Sequence, residues 1–136
     1  MPGAVAYGSA GNTDWLLLEH LELTGNGTQA LLGEQLAAMH RVTSRQHGWT
    51  RDNYIGSTPQ TNTFSDNWLE FWREYRLRPQ LELAKAAGHG GRLASTGEQL
   101  LNSLQHLLAG HEPAPSLLHG DLWSGNKAFT PDGRPV

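Results

Sequence analysis

Three stretches of this sequence carry apolar residues at helical spacing, and only a few short runs suit a β-strand. Leu32, Leu36 and Met39 stand at i, i+4 and i+7. Trp68, Trp72 and Tyr75 repeat that interval with Leu69 beside them, and Leu100, Leu104 and Leu107, with Leu101 and Leu108, repeat it again. Stripes of this period belong to amphipathic helices that must bury one face. The spacing therefore predicts an α+β fold that is mostly helical. At 136 residues the chain is one domain at most and long enough to bury a core.

The remaining punctuation sets the expected element order. Residues 4–7 and 15–23 read as extended segments, separated by the turn cluster Gly8-Ser9-Ala10-Gly11-Asn12 and closed by Gly25-Asn26-Gly27. The run from Trp15 to Leu23 starts apolar and then alternates, as a strand does on leaving a core. Thr28 is placed to cap a helix to about Arg41. His40, at its end, reads as a packing or capping residue rather than a ligand. Residues 43–64 show no period, and an unstructured loop of that length is usually functional or disordered. Ser65 is expected to cap the next helix, with Asp66 favouring its first turn. Pro79 should break or kink that helix after Arg78, with a resumption over about 80–87 and a stop at Gly88-His89-Gly90-Gly91. A last helix is expected from Ser95 or Thr96, either of which sits three residues before a Glu or Gln, and Gly110 suits its C-terminal cap. Leu117-Leu118 reads as a brief strand. Lys127-Ala128-Phe129 and Arg134-Pro135-Val136 read as a hairpin turning at Asp132-Gly133. That hairpin stops as its second strand begins, so the chain reads as a piece of a longer protein.

Composition removes several classes of function. Ten basic and 13 acidic residues give a net charge of −3 with no basic cluster, which argues against a nucleic-acid partner. The lack of cysteine excludes disulfides, thiolate zinc sites and thiol nucleophiles. Trp15 to Leu18 is far too short to span a membrane, and Met1-Pro2-Gly3-Ala4-Val5 resembles no signal peptide. The reading is a cytoplasmic protein without a membrane partner. Seven His residues are scattered without a His-x₃-His pair, which disfavours a metal hydrolase built on His119 and Asp121.

The sharpest motif is Leu117-Leu118-His119-Gly120-Asp121-Leu122-Trp123-Ser124-Gly125-Asn126. An apolar run delivers a carboxylate into a tight loop, and a carboxamide follows five positions later. Phosphoryl transfer from ATP needs such a pair: a carboxylate to orient the acceptor hydroxyl and take its proton, and an oxygen ligand for magnesium. Protein kinases space their Asp and Asn in the same way. The plainer alternative is a turn in which Asp and Asn bond their own backbone.

The His119–Asn126 block resembles the loop of the fructosamine (ketosamine) kinase family, a branch of the aminoglycoside-phosphotransferase and protein-kinase-like fold. Trp123 separates it from aminoglycoside and choline kinases. A second block agrees: Asp52-Asn53-Tyr54-Ile55-Gly56-Ser57-Thr58-Pro59-Gln60-Thr61-Asn62, then Ser65-Asp66-Asn67-Trp68 and Arg76-Leu77-Arg78-Pro79-Gln80-Leu81. The resemblance runs from about Trp15 to Val136. It implies a partial kinase-like fold, with 1–27 as the end of the N-lobe and the hinge, and 28–136 as the first half of the C-terminal catalytic lobe, whose catalytic loop is 117–126. It further implies ATP and magnesium, Asp121 as base, Asn126 as metal ligand and His119 as support for the loop. The backbone of Glu19, His20 and Leu21 would meet adenine, although periodicity alone makes that segment a plain buried strand. The acceptor would be a glycated amine or glycated protein. Trp49, Tyr54, Gln60 and Trp123 are candidate sugar contacts; the alternative for Ser57-Thr58-Pro59-Gln60 is that it locks the loop against the C-terminal lobe. The glycine-rich phosphate loop, the Lys–Glu pair and the second magnesium carboxylate find no counterpart here, and Asp132 sits in a turn unsuited to replace the last. Two other readings stay open. One is an inactive kinase-like fragment that associates through uncovered apolar faces; the other is a kinase acting on an aminoglycoside or choline-type acceptor.

Overall fold

The computed structural model describes residues 2–24 and 26–136. Met1 and the expected turn residue Gly25 lie outside the described residues. The fold is α+β and mostly helical, as the stripes predict. The chain divides into two compact units: Met1–Arg41 with Leu118–Val136, and Val42–Leu117.

The first unit opens with an antiparallel hairpin of β1 (Ala4–Ala10) and β2 (Thr13–Leu18). Both strands differ from the sequence reading. β1 runs through the expected turn cluster because Gly8, Ser9 and Ala10 pair with Trp15, Asp14 and Thr13, leaving Gly11-Asn12 as the turn. Ser9 Oγ donates to Asp14 Oδ1 at 2.6 Å and ties the turn end together. β2 stops at Leu18, and 19–24 form no regular element. Trp15 to Leu18 are exposed rather than core. Helix α1 (Gln29–His40) follows. Thr28 caps it as expected, its side chain accepting from Leu31 N–H at 3.2 Å.

The second unit corrects the aperiodic loop. Residues 53–60 form a short hairpin, β3 (Asn53–Ile55) with β4 (Thr58–Gln60). Three-residue strands carry too little alternation to be read from sequence. Isolated bridges join His47 to Ser65 and Thr43 to Ser116. Only the second of these approaches the expected strand at 117–118, where Leu117 N–H donates to Val42 O at 2.8 Å and no strand forms.

A near-continuous helical run then spans α2 (Trp68–Trp72), a wide π-type turn (Arg73–Leu77), α3 (Arg78–Ala84) and a last turn from Lys85 that ends where Gly88 turns to φ 87°, at the expected stop. Its cap is Asn67, whose Oδ1 accepts from Glu70 N–H at 2.8 Å, and not Ser65, whose hydroxyl bonds Asn67 instead. Pro79 does not break the run. The wide turn shifts the ladder so that Arg78 N–H reaches Arg73 O. Tyr75 O, the carbonyl that an N–H at position 79 would meet in a regular α-helix, accepts from Arg76 Nη1 at 2.8 Å. Helix α4 (Gly91–Leu107) begins before Ser95 and Thr96; Ser95 is interior and returns its hydroxyl to Arg92 O. Leu101 and Leu104 are buried, but Leu100 and Leu107 are 39% and 60% exposed, so only two of the five expected stripe residues are core. Gly97 is also buried, with Leu81 of α3 against it. Gly110 turns the chain just past the helix with φ 79°, as expected. No helix among the described residues is long and apolar enough to cross a membrane.

Asn62 is the polar centre of this unit and is 3% exposed. Its N–H donates to Asp52 Oδ1 at 2.7 Å, its Nδ2 to Asn53 Oδ1 at 2.8 Å and Arg51 O at 3.1 Å, and its Oδ1 accepts from Arg76 Nη2 at 2.6 Å. Arg76 also donates to Thr61 O at 2.6 Å and lies 4.5 Å from the Phe71 ring centre. Burial pushes the Arg76 guanidinium below its ordinary pKa, and the neutral acceptors and ring face offset that cost. Asn62→Ala should lower unfolding free energy by about 3 kcal/mol, because buried donors and acceptors on both sides lose partners; denaturant unfolding measures this. Glu74 bonds Arg78 and Arg73, each at 2.8 Å, and the Arg78 hydrogen bond holds its carboxyl below the ordinary range. That stabilisation is present above the unfolded carboxylate pKa and is lost as pH falls through the folded one. Glu74→Gln should therefore lower the melting temperature at pH 7 and leave it unchanged near pH 2.

Candidate active site

In the first unit the His119–Asn126 loop lies beside α1. Leu32, Leu36 and Met39 of α1 are half-buried rather than core, and with His119, Leu122 and Asn126 they line a cavity of about 210 Å³. Lys127 Nζ donates to Gln29 Oε1 at 2.8 Å and joins the loop end to the first turn of α1. The chain then enters the expected hairpin, with Ala128 and Val136 exchanging both backbone hydrogen bonds and Gly133 N–H closing the turn onto Thr130 O. Asp132 stays in that turn, and the Thr130 hydroxyl bonded to it holds its carboxyl below the ordinary range. Phe129, 5% exposed, anchors the hairpin: its carbonyl accepts from Thr24 N–H at 3.0 Å and its ring lies against Gly27. A Cβ at Gly27 would fall inside the ring.

The loop brings Asp121 and Asn126 together. Asn126 Nδ2 donates to Asp121 Oδ2 at 2.6 Å and to Asp121 O at 2.9 Å. Both hydrogens of the amide are thereby committed, and Asn126 Oδ1 accepts no hydrogen bond among the described residues. A short 3₁₀ turn over Ser124–Asn126, closed by Asn126 N–H to Trp123 O at 3.0 Å, returns the carboxamide to Asp121. Asp121 N–H points at His119 Nδ1 at 3.3 Å, which requires that ring nitrogen to be unprotonated. The outcome is an exposed carboxylate with one oxygen held and Oδ1 without a side-chain partner among the described residues. Such a group can accept a proton from a bound hydroxyl. An Asn carbonyl oxygen beside it suits a hard cation. No cluster of three His, Asp or Glu among the described residues forms a metal site by itself.

The other candidate residues divide between the units. Glu19, His20 and Leu21 follow β2 in the first unit; Glu19 N–H donates to Gly3 O at 2.9 Å. The Glu19 carbonyl and Leu21 N–H have no backbone partner among the described residues, so this is an open edge and not a buried strand. Trp123 is 58% exposed beside Asp121 in sequence. Trp49, Tyr54 and Gln60 belong to the second unit. Trp49 N–H donates to Asn62 O at 3.0 Å while its side chain is exposed; Tyr54 is exposed opposite Pro59; Gln60 is half-buried opposite Asn53. Three contacts escaped the sequence reading. They are the Gln29–Lys127 link across 98 positions, the Asn62–Arg76 contact and the packing of Phe129 on Gly27. None of the three has a local periodic signal.

The sequence model of the family described as fructosamine kinase matches residues 1–136. This chain belongs to the fructosamine kinase family. It is 39% identical to the Synechocystis protein named probable ketoamine kinase, over all of this chain and 46% of that protein. It is 42% identical to the chloroplastic protein-ribulosamine 3-kinase of Arabidopsis thaliana, over 90% of this chain and 38% of that protein. A crystal structure of a protein assigned as a fructosamine-3-kinase from Haemophilus somnus 129PT superposes with a TM-score of 0.82 at 27% identity, covering 98% of this chain and 45% of that one. The fold is therefore part of the kinase-like fold of fructosamine kinases. The chain spans less than half the length of these relatives.

Glycines of this fructosamine kinase-family unit give a paired test. Gly27→Ala should cost about 2 kcal/mol of stability by forcing Phe129 out of place. Gly33→Ala, on α1 with open space around it, should add up to about 1 kcal/mol through helix propensity. Denaturant midpoints of the two variants should move in opposite directions.

Proposed function

We propose that this chain supplies the hinge and the first half of the catalytic lobe of a cytoplasmic kinase that phosphorylates a sugar hydroxyl of a glycated amine or glycated protein. In this reading residues 1–27 end the N-lobe and form the hinge, and 28–136 begin the C-lobe. The observation that carries it is the Asp121–Asn126 pair, held at 2.6 Å in a family of ketoamine and ribulosamine kinases by name.

Asp121 acts as base. Its Oδ1 orients the acceptor hydroxyl and takes the proton as that oxygen bonds to the γ-phosphorus of ATP and the bond to the bridging oxygen breaks. Asn126 keeps the carboxylate aimed through Nδ2 and offers Oδ1 to magnesium. When bound, magnesium supplies neutralisation of the phosphate charge, and it needs only one or two protein oxygens beside phosphates and waters. His119 holds the backbone of Asp121. The Glu19 carbonyl and Leu21 N–H, with His20 between them, receive the adenine edge; both are suited by lacking backbone partners. Trp123 offers an exposed ring for the sugar; Trp49, Tyr54 and Gln60 stay candidate sugar contacts through the family resemblance.

The exposed apolar residues Leu93, Leu100 and Leu107 of α4 favour a second reading for the chain by itself, in which it associates instead of turning over substrate. Activity is therefore tested on the product of the complete reading frame, by ADP release with a ketosamine and Mg-ATP. Asp121→Asn should lower the rate about 10²–10⁴-fold with the fold unchanged. Unchanged turnover would show that Asp121 is not the base, and turnover of aminoglycosides in place of ketosamines would reassign the acceptor.

A further inference from the structure

The turn that aims Asn126 has little of its own to hold it. It is a single 3₁₀ turn over Ser124–Asn126, closed by one backbone hydrogen bond from Asn126 N–H to Trp123 O at 3.0 Å, and among the described residues no side chain caps its start. A 3₁₀ turn has poorer hydrogen-bond geometry than an α-helix and gains little from one bond. The candidate site nevertheless depends on it, because this turn carries the carboxamide back to Asp121.

Trp123 supplies what the backbone lacks. Its own backbone is extended, with φ −140° and ψ 178°, and its indole folds forward over the turn. A Cβ added at Gly125 would lie inside the van der Waals boundary of Cη2, Cζ2 and Cζ3 of that indole, so the six-membered ring packs directly on the Gly125 backbone. Backbone conformation does not demand glycine at 125. Its φ is not positive, and a 3₁₀ turn is open to any residue. The ring alone excludes a side chain there. Gly120, just before Asp121, is the opposite case, with φ 83° and open space where a Cβ would go. One glycine of the loop is set by conformation and the other by an aromatic side chain two residues before it.

We propose that Trp123 is a positioning residue for Asn126: its indole, seated on Gly125, keeps the 3₁₀ turn closed, and the closed turn keeps both Nδ2 hydrogens on Asp121. The consequence for turnover rests on the reading of Asp121 as base and Asn126 as magnesium ligand; the packing itself does not. Groups that orient a metal ligand govern about 10–100-fold in metal affinity or activity. A contact between Trp123 and a sugar would use the exposed remainder of the ring and would act on sugar binding instead.

The test uses the product of the complete reading frame carrying Gly125→Ala, Trp123→Leu and the two combined. Three quantities are measured: the magnesium concentration giving half the maximal rate, kcat and KM for 1-amino-1-deoxyfructose, and the Asn126 side-chain amide signals of the nucleotide-free protein by nuclear magnetic resonance, identified by their loss in Asn126→Asp. Gly125→Ala should raise the half-saturating magnesium and lower kcat, each about tenfold, with the sugar KM held within about twofold. It should also move the Asn126 amide signals and speed their exchange with water. Trp123→Leu should shift the same signals. Because leucine vacates the place of the ring, adding Gly125→Ala to Trp123→Leu should cost less than about twofold more. Should Gly125→Ala fail to fold, recovery of the fold in the double variant is the same rescue. Gly120→Ala should gain nothing from Trp123→Leu. Moved Asn126 signals with unchanged magnesium dependence would keep the positioning contact and reject Asn126 as the metal ligand. The proposal is overturned by Asn126 signals unmoved in both single variants, by a Trp123→Leu variant in which only the sugar KM rises, by full additivity of the two substitutions, or by equal relief of Gly120→Ala.

Discussion

Two carboxamides hold this protein where backbone pairing does not reach. Among the described residues its sheets are two short hairpins, and much of the chain between helices has no strand partner. A carboxamide can donate twice and accept at once, so a single Asn can satisfy several backbone and side-chain groups in a loop. Asn62 does this in the second unit, gathering Asp52, Asn53, the Arg51 carbonyl and Arg76. Asn126 does it in the first, folding both of its hydrogens back onto Asp121. The loops are ordered by side chains at chosen positions rather than by ladders.

The two clamps differ in what they leave over. Asn62 is buried and its donors and acceptor are spent, so its role is architectural. Asn126 is exposed and spends only its donors. That leaves a carbonyl oxygen beside a carboxylate oxygen at the surface, the pairing of hard oxygen ligand and proton acceptor that phosphoryl transfer uses. The surroundings support the loop without entering it: α1 with its half-buried stripe, the Gln29–Lys127 link, and the Phe129 anchor on Gly27.

The long helical run shows how local rules give way. Pro79 removes a donor and should end a helix, yet the run continues. A wide turn moves the hydrogen-bond register by one residue, and the Tyr75 carbonyl accepts from Arg76, the same side chain that reaches Asn62. The side chain that meets this carbonyl is itself tied to Asn62, outside the sequence window of the helix. The same holds for α4, where partners on one side bury Leu101 and Leu104 but leave Leu100 and Leu107 exposed.

Sequence alone determined the mostly helical α+β class, the Thr28 cap, the Asp132-Gly133 hairpin and the Asp121–Asn126 motif with its family. Each is a short-range signal: a period, a capping hydroxyl, a turn pair, a spacing of five. Tertiary structure decided where strands stop, which residues of the α4 stripe are buried, that 53–60 is a hairpin and that Pro79 is tolerated. Those outcomes depend on groups distant in the chain, such as Asn62 and Arg76 or Gln29 and Lys127, whose hydrogen bonds leave no periodic trace. The direction of the Asn126 carboxamide belongs with them. Spacing could place it near Asp121, but only the folded 3₁₀ turn turned its hydrogens inward and left its oxygen free.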